Sequence, residues 1–122
     1  MTDDVDGAGV NIVRDQVSVA TLTVMAEGMF GDLVKAVVDV ERMVMALGGA
    51  MHADEEADLI ADGSTQSDLW GINLYPAAFG TAEFIEYDSM INLRPRQNHT
   101  RGVGDPATRA AIVALVDRLV RR

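Results

Sequence analysis

The stretch Leu33-Val-Lys-Ala-Val-Val-Asp-Val-Glu-Arg-Met-Val-Met-Ala-Leu47 decides the fold. Val34, Ala36, Val38 and Val40 fall on one face of an extended chain, and Lys35, Asp39 and Glu41 on the other. Met and Ala would suit a helix, but the valine density and the alternation predict strand. A turn near Glu41-Arg42 lets Met43–Leu47 continue the sheet, and Gly48-Gly49 then breaks the chain. Downstream, Ala57–Ala61 reads as a short strand closed by Asp62-Gly63-Ser64. Leu69–Tyr75 reads as another strand, stopped by Pro76, and Glu83–Tyr87 alternates cleanly. Met90–Arg94 returns as a last strand, at an edge or ending at Pro95, which lacks a donor for a ladder.

Upstream, Val10–Val13 is a short first strand. Ser18 is placed to cap a helix over about 18–29, in which Val19, Leu22, Met25, Ala26 and Met29 recur at helical spacing. At the other end Asp105 is the expected N-cap and Pro106 the first residue of a helix. Its apolar stripe is Ile112, Leu115, Val116, Leu119 and Val120. Short turns between strands argue for an antiparallel sheet. The expectation is a single α+β domain over 10–122, with about five antiparallel strands, one N-terminal helix and one C-terminal helix. Residues 1–9, small and acidic, are expected to form a mobile leader.

The chain has 122 residues, no cysteine and a hydrophobic fraction of 48%. That apolar content excludes a disordered chain, and the lack of cysteine excludes a disulfide scaffold or thiolate metal site. The net charge of −9 is unevenly placed. Residues 1–90 hold 17 acidic and 3 basic side chains, whereas 91–122 hold 7 Arg and 2 Asp. An acidic surface disfavours nucleic acid and anionic membrane, while opposed halves suit self-association. The N-terminus lacks an apolar export region, and no stretch approaches a membrane span, so a cytoplasmic location is expected.

Several motifs recur in order: Val38-Asp-Val-Glu-Arg42, Gly48-Gly49 with Met51-His-Ala-Asp-Glu55, and Asp62-Gly-Ser64. Asp68-Leu-Trp-Gly71, Asn73-Leu-Tyr-Pro76 and Ile91-Asn-Leu-Arg-Pro-Arg-Gln-Asn98 follow. Over roughly residues 33–98 the chain resembles an uncharacterised family of small prokaryotic proteins, known as a domain of unknown function. Where such sequences continue with Arg-Ser, this one has His99-Thr100. The resemblance implies no activity and carries over no catalytic residue.

Three polar or aromatic groups are candidate sites. Asp39, Glu41, His52, Asp54, Glu55, Glu56 and Asp58 would gather if 33–47 and 50–61 paired as a hairpin. Clustered carboxylates attract a hard cation, and a histidine extends the choice to Mn or Zn. Asp39, Glu41, His52 and Asp54 are the candidate metal ligands, against the simpler reading of a solvated acidic surface. Asn92, Arg94, Arg96, Gln97, Asn98, His99 and Arg101 form a donor-rich loop suited to a phosphate or carboxylate. There His99, Arg94 and Arg96 are the catalytic candidates for cleaving a phosphodiester, as in a metal-independent ribonuclease. The simpler reading pairs these arginines with the acidic hairpin. Trp70, Tyr75, Phe79, Phe84 and Tyr87 read first as core, with Trp70 and Asn73 as pocket residues in the alternative.

No phosphate loop, dinucleotide fingerprint or nucleophile elbow is present. The sequence therefore favours a small non-catalytic binding domain that self-associates or meets a protein partner, with no cofactor. The alternative is a phosphodiester hydrolase, using a divalent metal on the carboxylates or His99 with the arginines.

Overall fold

In the computed structural model, which describes residues 3–5 and 9–122, the chain opens with β1 (Asn11–Val13), β2 (Val17–Ser18) and α1 (Val19–Gly28). It continues through β3 (Val34–Asp39), β4 (Val44–Leu47), α2 (His52–Ala61), β5 (Leu69–Leu74) and β6 (Ile85–Glu86). It closes with α3 (Pro106–Leu119) and β7 (Val120–Arg121). Short 3-10 turns stand at Gln66–Asp68, Pro76–Ala78 and Met90–Asn92.

The 33–47 stretch is a hairpin, with Val38 opposite Met45. Its turn holds Met43 at φ 59°. Asp39 Oδ1 accepts the backbone N–H of Glu41 and of Arg42, both at 2.9 Å. A short carboxylate reaching two and three residues on is how an aspartate closes a tight turn. β3 is central in the antiparallel sheet β1-β4-β3-β5-β6, with Ala36 opposite Ile72. The expected α+β fold stands.

Both faces of the sheet are covered. Ala36, Val38, Met45, Leu47, Trp70, Ile72 and Leu74 pack with Leu22 and Ala26 of α1 and Ile112, Leu115, Val116 and Leu119 of α3. Alternation turns Val37, Val44, Ala46 and Leu69 to the opposite face, where Leu59 of α2 joins them. Burying each such aliphatic side chain contributes about 1.5–3 kcal/mol relative to leaving it in water. Ser18 caps α1 by accepting from Thr21 N at 3.1 Å. Asp105 caps α3 by accepting from Thr108 N, also at 3.1 Å. Phe79 and Phe84 meet edge to face at 5.1 Å; of the aromatic group read as core, Trp70 and Phe84 are buried, and Tyr75, Phe79 and Tyr87 are half-buried.

Two expected strands are absent. Residues 52–61 form α2, not one arm of a hairpin, and Ala57–Ala61 is its last half. His52, Glu55 and Leu59 are its buried residues, three and four apart, a helical period hidden in an acidic segment. Asp54 stands exposed in the first turn, where the helix dipole favours its negative charge. Met90–Arg94 is not a strand either: Met90–Asn92 is a 3-10 turn crossing the sheet at Gly71. A Cβ on Gly71 would meet the Ser89 Cβ at 2.5 Å, so only glycine permits that crossing. The strand expected over Glu83–Tyr87 shortens to Ile85–Glu86.

Of the expected leader, Asp3, Asp4, Val5 and Gly9 are described. Asp4 Oδ2 accepts the backbone N–H groups of Arg14, Asp15 and Gln16 at 2.6–3.0 Å. Asp3 accepts from Ser18 Oγ at 2.8 Å and from the Thr21 hydroxyl. Met1, Thr2, Asp6, Gly7 and Ala8 lie outside the described residues, and the expectation of mobility for them lies there too. No helix among the described residues is long and apolar enough to cross a membrane.

Candidate functional site

The arginine loop is built around β5. β6 pairs with only Asn73 and Leu74, which leaves the first half of that edge open. Asn92 fills it: its Oδ1 accepts from Gly71 N at 2.8 Å, and its Nδ2 donates to Gly71 O at 2.9 Å. The carboxamide thus replaces one residue of a neighbouring strand. Arg94 continues the cover, donating to the carbonyls of Ser67 (3.0 Å), Gln66 (3.4 Å) and Leu69. Its guanidinium lies 3.8 Å from the centre of the Trp70 ring, a cation–π stack. Asn98 is buried, with Nδ2 reaching the carbonyls of Asn92, Thr100 and Gly102 and Oδ1 accepting from Gly104 N. Asn92, Arg94 and Asn98 therefore hold backbone. Arg96, Gln97 and His99 are exposed, with Arg96 at φ 71°. Arg101 pairs with Asp88 at 2.7 Å. The loop arginines do not pair with the acidic hairpin residues.

The expected metal ligands are kept apart because α2 is a helix. Asp39 is buried in its turn, and Glu41 and Asp54 are exposed. His52 lies against Ile72, opposite Ala36 in the register and three residues along β3 from Asp39. No group of three or more His, Asp or Glu among the described residues is arranged to hold a metal ion.

A different polar row lies under the N-terminal turn of α2. His52 Nε2 is 2.8 Å from the Ile72 carbonyl oxygen, which only accepts, so that nitrogen carries the proton. Burial pushes the ring below its ordinary pKa. One turn on, Glu55 is fully buried, and its Oε2 accepts from Gly49 N at 3.0 Å. Burial raises its carboxyl to about 9, against the opposing pull of the Gly49 hydrogen bond and Lys35, so it is neutral at pH 7. Its Oε1 has no partner, and neither has the buried Asn73 Oδ1. Asn73 Nδ2 donates to Glu86 Oε1 at 2.8 Å, and Tyr75 donates to the same oxygen at 3.0 Å. Through Nδ2, Asn73 thus orients the Glu86 carboxylate.

Above this row runs a groove of about 520 Å³. Val24 and Met25 of α1 with Met29, the residue that ends it, form one wall, Val10 another, and Gly48-Gly49 the floor. A Cβ on Gly49 would meet Glu55 Cγ at 2.9 Å and Val10 Cγ2 at 3.1 Å, so the bare backbone lets the floor sit on Glu55. Val24 is 68% exposed and Met29 47%, two large apolar side chains left open to solvent in the lining of one groove. Asp54 is the one charged side chain in the lining.

The family model described as Protein of unknown function (DUF5674) matches residues 11–119. The chain belongs to this family. The DUF5674 match runs from the first residue of β1 to the last of α3 and so contains the polar row, the arginine loop and all of the groove lining except Gly9 and Val10. No curated protein matches the chain. No solved structure matches it either. Sequence reasoning singled out Gly48-Gly49 and His52, named Glu55 only as one member of an acidic cluster, and missed its burial and the groove. The available signal was the spacing of His52, Glu55 and Leu59, which puts a carboxylate in phase with the buried face of a helix.

Proposed function

We propose that this chain is a binding domain without a catalytic centre, which takes an apolar segment with a basic flank into the groove between α1 and Gly48-Gly49. The observation that carries this reading is the groove: apolar walls, two methionines, exposed Val24 and Met29, and a single acidic residue at its side. Methionine walls adapt to differently shaped side chains, as suits a peptide-binding surface. Self-association belongs to the same reading and is supported by the opposed charges of residues 1–90 and 91–122.

The phosphodiester alternative has less behind it. Arg94 is engaged with three carbonyls and a tryptophan ring, and Asp39 closes a turn. The test is a titration of short peptides carrying one leucine flanked by Lys or by Glu, read on the Met25 and Met29 methyl resonances. Lys-flanked peptides are expected to shift both signals, and Val24→Asp to abolish the shift. Unmoved methyls with every peptide would overturn the reading.

A further inference from the structure

The basic part of the chain carries its own exposed apolar pair. In the Met90–Asn92 turn Ile91 packs on the core and Asn92 is buried, so the remaining side chains point the other way. Residues i and i+3 eclipse in a 3-10 turn, which puts Met90 and Leu93 side by side. They are 62% and 41% exposed. Arg96 stands three residues beyond Leu93 and takes part in none of the ion pairs found among the described residues. The result is an apolar knob with a free cation at its edge. The groove is its counterpart: an apolar hollow with Asp54 as its one charged lining residue.

We propose that the occupant of the groove is a second copy of this chain, docked by its Met90–Leu93 knob with Arg96 facing Asp54. This rests on the groove being a docking site at all, and it adds the identity of the partner surface. Two features favour it. The knob matches the groove in apolar character and is opposite to it in charge, Arg96 against Asp54, which favours one register of docking. Both surfaces also belong to a single sequence, so every copy offers one of each, and no other chain is needed to complete the pair.

The experiment is sedimentation of the full chain across concentration, up to about millimolar, where association of only about −4 kcal/mol is still visible. Wild type is expected to associate. Val24→Asp in the groove and Leu93→Asp on the knob, each confirmed as folded by circular dichroism, are each expected to weaken association by about tenfold or more. Mixing the two variants is the decisive arm. The knob of the first and the groove of the second remain intact, so a one-to-one complex should reappear. Arg96→Asp should weaken association, and adding Asp54→Arg should restore it. A wild type that stays monomeric, or association untouched by Leu93→Asp, overturns the proposal. In that event methyl shifts with Lys-flanked peptides would leave the groove itself standing, and their absence would remove both.

Discussion

Glu55 is the residue whose chemistry departs furthest from what its type implies. A carboxyl at about 9 in the folded state and near its ordinary value of about 4.5 when unfolded takes up a proton on folding. Between those values the unfolded chain ionises and the folded chain does not, so the stability contributed by the neutral group falls as pH rises from about 4.5 to about 9. Glu55→Gln has no proton to lose. Melting temperatures should therefore show wild type losing ground to Glu55→Gln steadily from pH 5 to 9, and parallel curves would refute the buried neutral acid. Asn92 makes a different kind of prediction. Asn92→Ala strands the N–H and the C=O of Gly71 in the interior, a loss on the order of 2–4 kcal/mol measurable by urea unfolding. Arg94→Lys should also destabilise, because an ammonium cannot fork across three carbonyls while lying flat on Trp70. Its effect should appear in stability and leave groove binding unchanged.

Among the elements, α2 shows where sequence reading stops. The β3–β4 hairpin, α1 and α3 were legible because each carries an uninterrupted pattern: alternation in the first, a 3.6-residue stripe with a capping residue in the others. α2 buries a histidine, a glutamate and a leucine, so two of its three inward positions look polar and the stripe disappears into an acidic run. The 90–94 segment failed for another reason. Alternation there is genuine, but Asn92 satisfies the β5 edge with its side chain, and a backbone ladder has nothing left to pair with. The metal hypothesis met the first of these errors, because it required a hairpin where α2 stands. Leu59 tests the element directly. Leu59→Ala should destabilise by about 2–5 kcal/mol, since Leu59 is the aliphatic side chain by which α2 meets Val37, Val44, Ala46 and Leu69. A loss below about 1 kcal/mol would mean that α2 is not an integral layer of the fold.

Across the whole molecule, Asp62 joins three parts of the chain. Arg14, just after β1, grips both its oxygens at 2.8 and 3.0 Å, and Arg42 of the β3–β4 turn reaches it at 2.7 Å. Arg42 also donates to Ser64. The hydrogen bonds from Arg14 and then Arg42 hold the Asp62 carboxyl well below the usual carboxylate range. A depressed folded pKa gives stability that is complete above the ordinary value and drains away as pH falls through the depressed one. Asp62→Asn should thus melt below wild type at neutral pH, and the gap should close on acidification below about pH 4. A gap independent of pH would point to lost shape, not lost charge. The pairing of β2 with β7 has a further consequence. Val17 lies beside Val120 and Ser18 beside Arg121, in parallel, with about a hundred residues between them. α1 starts from one strand of that pair and α3 ends in the other, so the path from Val17 to Arg121 is a ring closed without a covalent bond. Such a ring has no privileged opening. The same closure carries the largest loop entropy in the chain, so it belongs to the last events of folding, after the sheet and its helices have formed.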